Sequence, residues 1–228
     1  MQTAAPIFMV ETVARGLAHL RTQVVFIGGA AMSLYIDDPG SPSPRPTEDV
    51  DCVVEISTAR DYYKLEGELR GLGFVNQAAK GSPLCRWTYQ GVTVDVMPTD
   101  PAILGFSNAW YKSGVAHARQ ATLPSGTTIS IFPLAYFLAS KFEAFFSRGQ
   151  GDLRFSHDFE DIIYVLDGCL DAEASLHSSP EPVRQYLAKT YRTLAADAFF
   201  LEAITAHLGR GAQGGVRSER LVSILAKL

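Results

Sequence analysis

Thr47-Glu48-Asp49-Val50-Asp51-Cys52-Val53-Val54-Glu55-Ile56 is the stretch on which the reading of this 228-residue chain turns. Its β-branched and apolar residues predict a strand over 49–56. Successive side chains along a strand point to opposite faces, so Asp49 and Asp51 project together while Val50 and Cys52 face the other way. At the rise of a strand their Cα atoms lie about 6.5–7 Å apart, within reach of one shared cation.

Two flanking segments extend this pattern. Upstream, Val24-Val25-Phe26-Ile27 reads as a short buried strand that runs into Gly28-Gly29 and then a helix over Ala30–Tyr35. A glycine pair there lets backbone N–H groups approach a phosphate closely. Downstream, Asp95 sits between Val94 and Val96, an acid in an apolar strand over Val92–Met97. Burying it without a cation or hydrogen bonds would be costly. Three strand-borne acids, Asp49, Asp51 and Asp95, can meet that need around one or two Mg²⁺ ions. With a glycine turn for phosphates, they point to transfer of a nucleotide from a triphosphate.

Leu84–Tyr89 and Val92–Met97 are separated by Gln90-Gly91, a two-residue hairpin turn. Counting back from that turn places Arg86 opposite Asp95. Arg86 then either serves the metal face, touching a triphosphate or balancing the acids, or makes a plain cross-strand ion pair. Thr47 either offers its hydroxyl to a phosphate or makes a local loop bond. Between Gly29 and Asp49 lies a segment with Pro39, Pro42, Pro44 and Pro46, which forbids regular structure and reads as a surface loop long enough to act as a lid.

The rest of the chain supplies scaffold. A first helix is predicted over 7–20, and Ser57/Thr58 cap another running to about Leu69. A strand pair flanks Pro124-Ser125-Gly126. From Pro133 the pattern changes to helices near 134–148, 156–167, 181–196, 197–208 and 217–227. The expected fold is α+β: a small mixed β-sheet flanked by helices over residues 1–132, then a helical lobe over 133–228 that closes a nucleotide cleft.

Lys141 breaks the apolar stripe of the first lobe helix, falling with Leu134, Leu138 and Phe145 within about 60° on the helical wheel. Arg148 lies near the edge of that stripe. Asp158 and Asp161 do the same in the next helix, aligned with Ile162 and Val165. Buried charges must pair or face a ligand. One reading pairs Lys141 with Asp158 and Arg148 with Asp161. The other places Lys141 over the triphosphate, with Asp158 orienting it or polarising the acceptor. His157-Asp158 also invites a metal-phosphohydrolase reading, but the further histidine ligands of such a site are not evident.

A net charge of −4 and a pI near 5.7 argue against a dedicated nucleic-acid coat. Cys52, Cys85 and Cys169 are odd in number and far apart, so neither a disulfide framework nor a zinc site is indicated. Without a signal-like N-terminus or an apolar run of roughly 20 residues, a soluble cytoplasmic protein is expected.

Together these residues resemble the minimal nucleotidyltransferases of the DNA polymerase-β superfamily, most closely the AbiEii/MenT-type nucleotidyltransferase toxins. The resemblance rests on Gly28, Gly29, Thr47, Asp49 and Asp51, then Asp95, Lys141 and Asp158-Phe159-Glu160-Asp161, and covers about residues 24–167. It departs from the family pattern in two places: nineteen residues separate Gly29 from Asp49, and Ala30 stands where many relatives carry a hydroxyl. The resemblance implies an Mg²⁺-dependent transfer of an NMP from an NTP to tRNA, another RNA or a protein, and a toxin with a partner antitoxin. A small-molecule acceptor such as an aminoglycoside, or a non-catalytic nucleotide- or partner-binding relative, are the alternatives. Arg210, Arg217 and Arg220 are candidates for holding an RNA.

Overall fold

A computed structural model describes residues 6–77, 83–209 and 212–228. The chain divides into two compact units, Met1–Leu34 with Pro44–Pro133, and Tyr35–Ser43 with Leu134–Leu228.

The first unit is built on a seven-stranded mixed sheet. Its strands are β1 (Val24–Ile27), β2 (Asp49–Val54), β3 (Val75–Asn76), β4 (Arg86–Tyr89), β5 (Val92–Pro98), β6 (Arg119–Thr122) and β7 (Thr128–Ile131), in the order β3-β4-β5-β2-β1-β7-β6. β2 runs parallel to β5 and antiparallel to β1, while β1 runs parallel to β7. The apolar strands take the centre. All four residues of β1 are buried, as are Val50, Cys52, Val94 and Val96. Helix α1 (Pro6–Gly16) packs on β2, β4 and β5. Helix α2 (Ala59–Gly71) starts at Thr58, whose hydroxyl accepts from the Asp61 N–H at 3.1 Å. The β4–β5 hairpin turns through Gln90 (φ 47°) and Gly91 (φ 81°), the left-handed pair required by a two-residue type I′ turn.

The predicted first helix over 7–20 is shorter than its periodicity suggests. It stops at Gly16, and a 3₁₀ helix follows over Ala18–Thr22. Ala18 has φ 48°, which no α-helix accommodates, and this bend redirects the chain into β1. The helix predicted after the glycine pair is also 3₁₀, over Gly29–Tyr35. The short α3 (Pro101–Leu104) and α4 (Tyr111–Ala116), and the two-residue β3, carry too little periodicity to be read from sequence.

The second unit is helical: α5 (Leu134–Ser147), α6 (His157–Gly168), α7 (Ala172–His177), α8 (Glu181–Ala195), α9 (Phe200–His207) and α10 (Ala212–Ala226). α5 is its central post. Residues 134–142 and Phe145 are buried, and α6, α7 and α8 pack around it. The first part of the proline loop belongs to this unit. The Asp37 and Asp38 N–H groups donate to the Gly168 carbonyl at 3.0 and 3.1 Å, and the Tyr164 hydroxyl donates to the Pro42 carbonyl at 3.0 Å.

Candidate metal centre

Strand register assembles the site of the first unit. Ile27 pairs with Asp51 across β1 and β2, Asp51 with Asp95 across β2 and β5, and Asp95 with Arg86 across β5 and β4. Four neighbouring strands therefore present one row of residues. Asp49, Asp51 and Asp95 each offer a carboxylate oxygen, and these oxygens lie within 4.8 Å of one another. The donor set is all oxygen and all anionic, which fits a hard divalent cation. The cysteines beside it do not compete as soft ligands. Burial, then the charges of Asp51 and Asp95, pushes the Cys52 thiol up. The Cys85 thiol is pushed up to about 12 by burial, followed by the charge of Asp95. Both stay protonated near neutrality.

The glycine pair has a more specific role than its flexibility alone suggests. Gly28 has φ 75°, and a Cβ built on it would lie 2.0 Å from Asp51 Oδ2. The missing side chain is the space that the Asp51 carboxylate occupies. A Cβ on Gly29 would lie 3.3 Å from Thr47 Oγ1 and 3.4 Å from Arg45 Nη2. Thr47 is itself buried, at 7% exposure.

Arg45 also stands beside this turn, and its spacing in the sequence carries the signal for it. Arg45, Thr47, Asp49 and Asp51 recur every second residue, so an extended chain puts all four on one side. The proline loop hid the continuation, because Pro44 and Pro46 lack the N–H groups that strand pairing needs.

Arg86 sits among the acids. Its Nε donates to Asp95 Oδ1 at 2.9 Å, and its Nη2 donates to Asp95 Oδ2 at 2.7 Å and Asp49 Oδ2 at 3.2 Å. The bonds to Asp95 hold the guanidinium above its already high ordinary value.

In the second unit the structure joins the other two predicted residues, Lys141 and Asp158. Lys141 Nζ donates to Asp158 Oδ1 at 3.0 Å and to Asp161 Oδ2 at 2.7 Å. Arg148 binds Asp158 through two bonds, Nε to Oδ2 and Nη2 to Oδ1, both at 2.8 Å. Of the two pairs that one reading expects, Lys141 with Asp158 forms; Asp158 also accepts from Arg148, and Lys141 also holds the fully buried Asp161. Burial pulls the Lys141 ammonium down, but the charges of Asp161 and Asp158 outweigh it and the net direction is up. For Asp158 burial pushes upward, yet Arg148 and Lys141 prevail and hold the carboxyl at about 2.

Two of the arginines considered for RNA are engaged elsewhere. Arg217 binds both carboxylate oxygens of Asp167, its Nε at 3.0 Å from Oδ1, and Arg220 binds the Asp167 carbonyl and carboxylate. Arg210 lies outside the described residues.

A mixed sheet that sets three carboxylates of β2 and β5 beside a glycine turn is the framework of a nucleotidyltransferase-type enzyme. The family model described as nucleotidyl transferase AbiEii toxin, type IV toxin–antitoxin system, matches residues 13–220. The chain belongs to that family. The fold is shared with the solution structure of the antibiotic-resistance factor ANT(2'')-Ia. That likeness has a TM-score of 0.52 at 12% identity, covering 85% of this chain and 97% of that one. An antigenic nucleotidyltransferase-like protein from Paracoccidioides brasiliensis matches at TM-score 0.48 and 21% identity, over 89% of this chain and 93% of that one. No curated protein matches the sequence significantly. Among the described residues, no helix is long and apolar enough to cross a membrane.

Proposed function

We propose that this protein is a Mg²⁺-dependent toxin that moves an NMP from an NTP to a macromolecular acceptor, RNA (a tRNA in particular) or protein, in the cytoplasm, and is held in check by an antitoxin partner. The observation that carries this reading is the acid triplet of Asp49, Asp51 and Asp95 within 4.8 Å, set against Gly28. Asp49, Asp51 and Asp95 would hold magnesium, which would supply charge neutralisation for the triphosphate and a lowered pKa for an attacking hydroxyl. Gly28, Gly29 and Thr47 bind phosphate oxygens, and Arg45 adds positive charge beside Gly29. Lys141 keeps its ammonium through Asp161 and Asp158 and has three N–H donors, so it can still serve a phosphate oxygen. Asp158 orients it. In the reaction an acceptor hydroxyl forms a bond to the α-phosphorus and passes its proton to a carboxylate of the cluster. The bond from the α-phosphorus to its bridging oxygen breaks, and pyrophosphate leaves with the electron pair. Positioning and charge stabilisation supply most of the rate.

The test is incubation with each of the four α-³²P-labelled NTPs, Mg²⁺, and cellular RNA or protein. Label enters one macromolecular fraction, and Asp49→Ala abolishes it. Full activity in that variant would sink the assignment.

The shared fold with an antibiotic-resistance factor motivates a second reading, with a small-molecule acceptor such as an aminoglycoside. Expression in cells separates the two. Growth arrest supports the macromolecular acceptor, and drug tolerance supports the small one. NTP binding without turnover, unaffected by chelating Mg²⁺, would instead mark a non-catalytic relative.

A further inference from the structure

The triplet that suits a divalent cation already carries a protein cation that offsets part of its charge. Of its six carboxylate oxygens, Arg86 engages three: both of Asp95, and Oδ2 of Asp49. This is the two-pronged geometry in which guanidinium binds carboxylate most tightly. The position is set by the backbone, because Arg86 and Asp95 are Cα partners across the β4–β5 hairpin. The next residue, Trp87, is fully buried and anchors the strand. The Arg86 side chain is 30% exposed, so its guanidinium can swing toward water without moving β4.

We propose that Arg86 is the resident counter-ion of the acid triplet and competes directly with the divalent cation. This rests on the reading of Asp49, Asp51 and Asp95 as the metal site. Without metal, Arg86 relieves the mutual repulsion of the carboxylates and keeps the cluster ordered. When metal binds, Arg86 gives up its oxygens on Asp95 and Asp49. Metal affinity is therefore held below what three converging carboxylates would otherwise provide. The cluster also never stands as an uncompensated triple negative charge, which would capture any passing cation.

Mn²⁺ binding, measured by electron paramagnetic resonance without nucleotide, tests this on the full chain. Arg86→Gln is expected to bind Mn²⁺ more tightly by about tenfold or more, since a monovalent competitor has been removed. Its melting temperature falls without metal and rises more on Mn²⁺ addition than the wild type's. Unchanged or weaker binding in Arg86→Gln overturns the proposal, because a residue that merely orients Asp95 would lose about 10–100-fold on removal. A second measurement needs no unfolding-prone variant. In the wild type, the Arg86 Nε–H signal is followed by NMR during Mg²⁺ titration, with Arg86→Lys identifying the resonance. Faster solvent exchange at saturation supports displacement, and retained protection refutes it. If the wild type binds no Mn²⁺ and Asp49→Asn changes nothing, the metal site itself is wrong. Wild-type binding that Asp49→Asn abolishes and Arg86→Gln weakens removes only the role given to Arg86.

Discussion

Replacing Gly28 by alanine isolates what the glycine turn contributes to the acid cluster. The new Cβ would sit 2.0 Å from Asp51 Oδ2, 2.8 Å from its Cγ and 3.0 Å from its Cβ. No real Cβ tolerates the first contact, so either the backbone or the carboxylate must shift. The backbone at φ 75° adds its own penalty, about 1–2 kcal/mol for an L residue in the left-handed region. The lower-energy response is rotation of Asp51 away from the turn. That movement takes one of the three candidate ligands out of the triplet. Gly28→Ala should therefore lose about 1–3 kcal/mol in urea unfolding, combining the left-handed penalty with residual crowding. Its Mn²⁺ affinity should fall by about tenfold or more, in line with loss of a positioned ligand. Gly29→Ala is the control, because its Cβ meets nothing closer than 3.3 Å and its φ is not left-handed. It should cost under about 1 kcal/mol and leave metal affinity nearly unchanged. Wild-type Mn²⁺ affinity in Gly28→Ala, or an equal loss in Gly29→Ala, would refute the spatial argument.

Two further predictions concern the ion cluster of the second unit. Asp158 is held at about 2, below its ordinary 3.8. Its contribution to stability, roughly 2 kcal/mol by linkage, is complete above pH 4 and is lost as pH falls through 2. Asp158→Asn should remove that acid-sensitive component from urea melts taken between pH 5 and 2; an unchanged pH slope would argue against the pairing. Lys141→Met removes the cation facing the fully buried Asp161 and should destabilise the protein by about 3–5 kcal/mol. Lys141→Met combined with Asp161→Leu should recover part of that loss by removing the buried carboxylate that Lys141 balances. Additive losses in the double variant would contradict the mechanism.

Much of the first site was legible because strand periodicity is a strict rule. A period of two places Asp49 and Asp51 on one face, and a two-residue turn places Arg86 opposite Asp95 without reference to the rest of the chain. Helical periodicity likewise marked Lys141, Asp158 and Asp161 as charges on buried faces. Pairing within that cluster was legible only in part: Lys141 with Asp158 was among the readings and forms, whereas the bonds from Arg148 to Asp158 were not foreseen. The angular position of a residue on a helix says which face it shares, but not how far along the neighbouring helix its partner lies. Arg148 therefore reaches Asp158, a partner that the helical wheel did not assign to it.

Local spacing in the sequence thus determined the strand that carries Asp49 and Asp51, the turn that pairs Arg86 with Asp95, and the charges set into the apolar stripes of α5 and α6. These are near-neighbour properties, governed by backbone geometry. Tertiary structure decided what local rules cannot reach. The parallel pairing of β2 with β5 brings Asp51 beside Asp95 across more than forty residues of chain. The antiparallel pairing of β1 with β2 lays the Asp51 carboxylate where a side chain of Gly28 would otherwise be. Strand order depends on which apolar faces bury together over the whole sheet, so the acid cluster becomes a site only once that sheet has formed.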